Sequence, residues 1–236
     1  MQQISYYSLL VSFIPAIIVL IYFIVHTIEY KTSLYAMARM ILQLIMIGYV
    51  LVFIFKTEHS WVVFSVLSIM LIAAGWIALR TVPHLQKTLF FHAFISIFLG
   101  GGLTLLIISQ FVLKIQPWFA PDYIIPLAGM IFANAMTAIS ISAERLYKEL
   151  KMKQSYELAF KDSLFAALIP ITNSLFAVGL VSLPGMMTGQ ILSGISPLIA
   201  ARYQIMVMAM IFGASGLSVI LFLKFSKKIF EKTSFR

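Results

Sequence analysis

The chain has 236 residues, of which 61% are hydrophobic and only 11% are charged, and its mean hydropathy is +1.01. So few charges could not cover the surface of a soluble domain of this length, so the composition indicates an all-α, polytopic membrane protein in a lipid bilayer. The net charge of +9 does not indicate a nucleic-acid partner, because a positive excess is typical of the loops beside membrane spans.

Seven apolar stretches are long enough to cross a bilayer, which takes about 20 residues. They cover residues 8–28, 36–55, 61–79, 88–113, 124–142, 163–183 and 203–223. The first is too long for the core of a signal peptide, so we expect a span and not a cleaved leader. In the fourth, Gly100, Gly101 and Gly102 are expected to bend the helix or to let a neighbour approach closely. The whole chain, 1–236, is predicted to form a single transmembrane domain.

The distribution of Lys and Arg predicts the orientation of the spans. If the N-terminus is outside, only Lys56, Lys114 and Arg202 lie outside, and all other Lys and Arg residues lie in the cytoplasm. The positive-inside rule therefore predicts an outside N-terminus and a cytoplasmic C-terminus. An eighth span within 186–201 would upset this balance, so we expect that region to be re-entrant or a tightly buried connection.

Residues 143–162 differ from the spans because they carry closely spaced charges. Four pairs of opposite charge lie one helical turn apart, and each supports a helix by a few tenths of a kcal/mol. They are Glu144–Lys148, Arg145–Glu149, Lys153–Glu157 and Glu157–Lys161. This cytoplasmic segment is predicted to be a solvated helix, about 30 Å long if it is continuous. It is either a stiff connector or a lever that docks a cytoplasmic partner.

The uncharged stretch VGLVSLPGMMTG, Val178–Gly189, contains a break in the helical pattern. Proline removes a backbone donor, and glycine frees the backbone beside it. Broken backbone at membrane depth persists only where protein buries it or where it lines a cavity, and such breaks mark the working regions of many transporters. The candidate translocation-path residues in this segment are Pro184, Gly185, Met186, Met187 and Gly189.

Few polar residues fall within the predicted spans. Asn134 shares a helix face with Pro126 and Met130, and Asn173 follows Pro170. Polar groups in lipid are costly and usually face the bundle interior. The plainer interpretation is hydrogen bonding between helices, and the functional one is a translocation path. The candidates for the path are Arg39, Gln43, Met130, Asn134, Asn173 and Gln204, which is expected to open the seventh span.

The motifs of several chemistries do not occur in the sequence. There is no phosphate-binding Gly-Lys motif, no cysteine and no acidic residue inside a predicted span. The four histidines form no i,i+4 ligand pair, and no serine has a convincing histidine partner for an intramembrane enzyme. Methionines such as Met186 and Met187 could bind soft metal ions, although adaptable packing is the plainer role. We therefore expect a transport protein that has no cofactor or catalytic activity and does not supply its own energy.

Three blocks of the sequence carry a family resemblance. They are RMILQLIMIGYVLVFIF (Arg39–Phe55), IIPLAGMIFANAM (Ile124–Met136) and ALIPITNSLFAVGLVSLPGMMTGQILSGISP (Ala167–Pro197), the last followed by ARYQIMV (Ala201–Val207). These blocks closely resemble the Fet-type iron-export permeases, a family of ABC-transporter membrane subunits that also includes plant subunits linked to aluminium tolerance. Together they reach from the second to the seventh predicted span.

The resemblance implies a permease that pairs with a separate cytoplasmic ATP-binding subunit and takes part in metal-ion homeostasis. It implies a bacterial inner-membrane or plasma-membrane location and a homodimer of permease chains. The predicted ATPase-coupling residues are Leu146, Glu149, Leu150, Lys151, Met152 and Lys153. The alternative function is a stand-alone secondary transporter or channel, which would need an ion-coupling site.

The chain departs from the family pattern at three places. Asn173 stands where the family commonly has an acid, and Ala133 stands where a glycine is usual. The cytoplasmic segment is shorter than in the family and lacks its Leu-Gly turn, although Lys151 and Met152 stand nearby. The first departure bears on cation handling and the third on how an ATPase would dock.

Overall fold

The computed structural model describes residues 5–26, 30–57 and 59–234, which fold into helices joined by turns. Within these ranges the pairing of extended backbone is limited to an isolated bridge between Val178 and Ser182. The all-α prediction is therefore confirmed. The chain divides into two units, Met1–Thr57 and Glu58–Arg236, so the single domain over 1–236 stays a prediction.

The first unit contains α1 (Tyr6–Val11), α2 (Ile14–Val25) and α3 (Tyr30–Ile54). Ser5 caps α1, because its Oγ accepts a hydrogen bond from the backbone N–H of Ser8 at 3.1 Å. Among the described residues, α2 buries no side chain and α3 buries only Ile54. Apolar side chains of this kind are stable against lipid, so the unit depends on the bilayer rather than on a core of its own.

The second unit contains six α-helices, and α5 continues directly into a π-helical segment, Ile107–Val112. α6 and α9 make the most extensive contacts with the other helices: α9 packs on α5, α6 and α7, and α4 packs on α5 and α6. The helices are α4 (Ser60–Ala78), α5 (Gln86–Leu106), α6 (Pro121–Lys151), α7 (Tyr156–Ala177), α8 (Gly185–Leu192) and α9 (Pro197–Ser234).

Glycines allow two of these helix pairs to approach closely. A Cβ at Gly100 would lie 2.7 Å from the backbone nitrogen of Ser218, so α5 and α9 touch through their main chains here. A Cβ at Gly101 would lie 2.9 Å from the side chain of Ile131 in α6. The predicted close approach is confirmed at these two positions, whereas Gly102 faces open space.

Six helical stretches in the described ranges are long and apolar enough to cross a membrane, and the predicted count of seven is not confirmed. They are Tyr7–Val25, Tyr30–Ile54, Ser60–Ala78, Gln86–Val112, Pro121–Lys151 and Pro197–Lys232. The predicted span 163–183 is not among them. Its helix, α7, begins earlier and ends at Ala177, where Gly179 turns the chain with a φ of +84°. The first two turns of α7 contain Glu157, Lys161 and Asp162, and these charged residues lower the mean hydropathy of the helix.

The charged segment 143–162 is two helices and not one continuous helix. α6 ends at Lys151 in a C-terminal cap, in which Lys153 N–H bonds to the Leu150 carbonyl and Gln154 N–H bonds to the Glu149 carbonyl. Ser155 then caps α7 through a bond from the Leu158 N–H to its Oγ. Leu146 and Leu150 lie one turn apart on one apolar face of α6 and are buried, as expected of such a face, but Glu149 is buried with them, so this end of the segment is not fully solvated.

The region predicted to be re-entrant or tightly buried, 186–201, forms the short helix α8 and the turn that leads into α9. In the described ranges α8 buries no residue, and Leu192 and Leu198 are largely exposed. The expectation of tight burial is therefore wrong, and the re-entrant alternative stays a prediction. Pro184 sets the start of α8, and Gly194, with a φ of +91°, turns the chain after it.

Candidate functional site

A cavity of about 410 Å³ lies between the end of α7, α8 and the first third of α9. Its volume falls within the range of small-molecule sites. It joins two predicted path residues, Met187 from the broken segment and Gln204 from the last helix. The cavity, called the α7–α9 cavity below, is lined by Leu175, Val178, Gly179, Met187, Ala201, Gln204, Ile205, Met208 and Ala209.

The turn after α7 shapes one wall of this cavity. Gly179 adopts a left-handed backbone, and its N–H bonds to the Ser182 carbonyl at 2.9 Å. Only glycine takes this conformation without strain, so the turn can close directly on the end of α7. The broken segment therefore contributes to the cavity through Gly179 and Met187, while Pro184, Gly185 and Gly189 shape the backbone around α8.

Gln204 is the buried polar residue of this site. It is only 5% exposed, and its Oε1 atom is buried without a hydrogen-bond partner. A buried amide oxygen normally has a partner, so an unpaired one in a residue that lines a cavity is a candidate acceptor for a hydrogen bond from a ligand. Gln204 does not open the last span as predicted, since α9 begins at Pro197.

Asn173 lies apart from Gln204, in a separate cavity of about 440 Å³ along α7 and α9. It is exposed, and Lys161, Thr172 and Phe212 line the same cavity. A carboxylate at position 173 would therefore line the same cavity as Lys161.

The other predicted path residues lie elsewhere. Asn134 is half-buried and donates a hydrogen bond from Nδ2 to the Met130 carbonyl in its own helix at 2.8 Å, which favours the structural interpretation for this pair. Arg39 and Gln43 lie exposed on α3 in the first unit. Met186, next to Met187 in α8, is half-buried.

A third cavity, of about 300 Å³, was not predicted from the sequence. It lies where α5 becomes π-helical, and Ser109, Gln110 and Trp118 contribute to its wall. Gln110 donates hydrogen bonds from Nε2 to the Ser109 Oγ at 3.1 Å and to the Trp118 carbonyl at 3.4 Å. A polar Ser-Gln pair inside an apolar span was the available signal, and π-helical turns are frequent at functional sites.

The predicted coupling residues fall into a buried group within α6 and an exposed group at the end of α6 and in the turn that follows. This turn, residues 152–155, is called the α6–α7 turn below. Leu146, Glu149 and Leu150 are buried, and Glu149 pairs with Arg145 at 2.5 Å. The exposed group follows them and consists of Lys151, Met152 and Lys153. The Glu144–Lys148 pair is also present at 2.5 Å, so two of the four predicted charge pairs are confirmed. The turn separates Lys153 from Glu157, so they do not lie on one continuous helix.

A tyrosine that was not predicted from the sequence joins the start of α7 to α9. The Tyr156 hydroxyl donates a hydrogen bond to the Leu223 carbonyl, and Lys227 Nζ lies 5.1 Å from the centre of the Tyr156 ring. Burial, followed by the nearby Glu231 carboxylate, raises the pKa of Tyr156. This arrangement, called the Tyr156 clasp below, holds the phenol in its protonated, donating form.

In the described ranges no group of three or more His, Cys, Asp or Glu side chains is arranged to hold a metal ion. The three cavities instead offer amide, hydroxyl and thioether groups, and Lys161 lines the cavity that contains Asn173. Such linings are suited to binding polar or apolar organic groups.

Comparisons with known proteins place this bundle in a family of membrane proteins. The family described as "Uncharacterised protein family (UPF0014)" matches residues 5–230. The "Probable iron export permease protein FetB" of Escherichia coli is 36% identical over 206 residues, which cover 81% of this chain and 78% of FetB.

Two plant proteins are similar over much the same length. The "UPF0014 membrane protein STAR2" of Oryza sativa subsp. japonica is 38% identical over 204 residues, covering 80% of this chain and 70% of that protein. The "Protein ALUMINUM SENSITIVE 3" of Arabidopsis thaliana is 36% identical over 203 residues, covering 79% and 72%. No solved structure matches the chain. With a family match over residues 5–230 and relatives of this similarity, the chain belongs to the UPF0014 family of integral membrane proteins, which includes the FetB permease.

Proposed function

We propose that the chain is the permease subunit of an ABC transporter of the bacterial inner membrane, which exports metal ions, iron in the first instance. Two copies would pair with two cytoplasmic ATP-binding subunits. The N-terminus would lie outside and the α6–α7 turn in the cytoplasm. The similarity to FetB supports this proposal, since that relative carries the name of an iron export permease.

The observation that carries the proposal is that buried residues at the end of α6 are followed directly by exposed residues at the α6–α7 turn. Leu146 and Leu150 anchor the last turns of α6 inside the bundle. Lys151, Met152 and Lys153 project from this base, and the Met152 side chain is 75% exposed. An exposed methionine beside two lysines on a rigid base is suited to docking a partner, because methionine adapts to the surface it meets.

The same geometry provides a route for movement. A partner that displaces the turn also displaces the start of α7, which the Tyr156 clasp joins to Leu223 of α9. Further along, α7 and α9 form two walls of the α7–α9 cavity. Closure of two ATPase subunits would therefore change the separation of the helices that hold the cavity.

The test is co-purification with an ATP-binding subunit encoded by a neighbouring gene. We expect Met152→Asp to reduce complex formation and permease-dependent ATP hydrolysis by about tenfold, because it adds a charge to an apolar contact. Lys87→Glu is the control, since Lys87 is also exposed and predicted to be cytoplasmic but lies at the start of α5. Equal loss in both variants would contradict docking at the turn. Transport that persists without any ATPase, driven by an ion gradient, would instead indicate a secondary transporter.

The cargo is tested by Asn173→Asp. The side chain is exposed, so we expect normal folding together with a change in the rate or metal preference of export, because a carboxylate would join Lys161 in the cavity. Ser174→Asp adds the same charge next to the cavity and is the matched control. Identical transport profiles in the wild type and both variants would mean that position 173 does not contact cargo.

A further inference from the structure

We propose that the α7–α9 cavity binds an uncharged, mainly apolar organic molecule through a hydrogen bond from the ligand's hydroxyl or N–H group to Gln204. The three observations that carry this proposal are the size of the cavity, the nature of its lining and the unpaired amide. The further step that this cavity lies on the transport path rests on the proposed function, whereas binding itself does not.

The size of the cavity fits an organic molecule better than an ion. At about 410 Å³ it is large enough for a body of ten to twenty non-hydrogen atoms, whereas a dehydrated metal ion occupies only a small part of such a space. Three elements line this cavity, which is partly open to its surroundings, and the Gly179 turn brings the backbone against its edge.

The lining determines the charge of the ligand. Every lining residue is uncharged, and all but Gln204 and Gly179 carry aliphatic or thioether side chains. A multivalent cation would lose its hydration shell here and gain no carboxylate in return, which is strongly unfavourable at membrane depth. A metal ion would therefore enter this cavity only inside an uncharged complex.

Gln204 supplies the specific contact. Its side chain is almost fully buried, and its Oε1 atom lacks a partner within the described part of the chain. This oxygen is shielded in the observed conformation, and rotation about the last side-chain bond, which exchanges the amide oxygen and nitrogen, would turn it towards the cavity. A ligand that donates a hydrogen bond would satisfy this oxygen, and an apolar molecule of the same size would leave it unpaired.

The experiment uses the full-length permease in lipid nanodiscs without any ATPase. The probe is the photoreactive alcohol 3-azioctanol, and its O-methyl ether is the matched probe that cannot donate a hydrogen bond. Adducts are located by peptide mass spectrometry. In the wild type we expect the alcohol to label residues of the cavity wall, such as Leu175, Met208 and Ile205, ~5- to 10-fold more than the ether does.

Gln204→Met removes the amide and keeps the length of the side chain, so we expect the alcohol and the ether to label the cavity equally. Gln190→Met is the matched control, because Gln190 also has a buried, unpaired Oε1 but lies in α8 outside the lining. It should retain the wild-type preference. Thermal melting of each variant shows whether it is folded.

Three results would overturn the proposal. Equal labelling of the wild-type cavity by alcohol and ether would mean that lipid tails fill it without a polar contact. Labelling away from the cavity would remove the site altogether. Displacement of the alcohol by stoichiometric Ag⁺ but not by octanol would indicate a thioether ion site formed by Met187 and Met208. Loss of ATPase docking in separate experiments would leave the binding result intact, so the two proposals fail independently.

Discussion

At the residue scale, Lys153 occupies a position that suits glycine better. Its φ is +63°, because it follows the last turn of α6 in the cap that ends this helix. A residue with a Cβ is strained there, so Lys153→Gly should raise the free energy of unfolding by about 1 kcal/mol. The measurement is chemical or thermal denaturation in detergent.

Lys151→Gly is the control for this prediction. Lys151 lies in the helical last turn of α6, where glycine lowers stability by about 0.5–1 kcal/mol relative to a good helix former. Changes of opposite sign in the free energy of unfolding for Lys153→Gly and Lys151→Gly would identify the backbone conformation as the cause. If both variants are less stable than the wild type, the left-handed geometry at Lys153 is not a source of strain.

Tyr156 is the second residue with a measurable consequence. Its pKa is raised in the folded protein by burial first and by Glu231 second. The stabilisation that comes from the neutral phenol is therefore fully present below the unfolded pKa of about 10 and is lost as the pH rises beyond it. We expect the melting temperature of the wild type to fall more steeply above pH 10 than that of Tyr156→Phe. Equal falls in melting temperature for the two proteins above pH 10 would show that ionisation of the Tyr156 hydroxyl does not affect stability.

At the element scale, the α5–α9 contact depends on the absence of a side chain at Gly100. A Cβ there would meet the Ser218 backbone at 2.7 Å, and backbone cannot move aside as a flexible side chain can. Gly100→Ala should therefore lower the free energy of unfolding by about 1–3 kcal/mol. The measurement is the midpoint of unfolding in detergent.

Gly102 lies two residues away in the same helix and provides the matched control. A Cβ at Gly102 would meet nothing within 4 Å, so Gly102→Ala should be neutral or slightly stabilising through helix propensity. A similar loss in both variants would mean that helix geometry, and not the contact with α9, determines the effect.

Some elements were predictable from the sequence because their signals are local. Apolar length predicted the long helices, and i,i+4 spacing predicted the ion pairs of α6. The break at residues 152–155 was missed, although Ser155 followed by Glu157 is a helix-start signal. The burial of Glu149 was not predictable in the same way, because it depends on how distant helices pack around α6.

The candidate site was predictable only in part. Pro184 and Gly185 marked the broken segment, and the structure brings Met187 from it next to Gln204. Asn173 lies in a different cavity, and that separation depends on the rotation of α7 about its axis. Sequence spacing contains no information about such a rotation when polar residues are few.

At the scale of the whole molecule, the predicted orientation has a direct test that the cysteine-free sequence makes simple. Lys151→Cys should be protected from a membrane-impermeant maleimide in intact cells, and Asp122→Cys, at the opposite end of α6, should be labelled. Both should react after the cells are permeabilised. Labelling of Lys151→Cys in intact cells would place the α6–α7 turn outside and exclude docking of a cytoplasmic ATPase.

The length of α9 has a mechanical consequence. The helix runs for 38 residues without an internal proline, and Gln204 and Leu223 lie 19 residues apart on it, about 28 Å along the axis. α7 spans the same interval, so the two helices form a frame that is tied at one end and open at the other. A displacement at the Tyr156 clasp would therefore change the distance between α7 and α9 at the cavity. Spin labels on the two helices beside the cavity would report this change as a distance that varies with nucleotide.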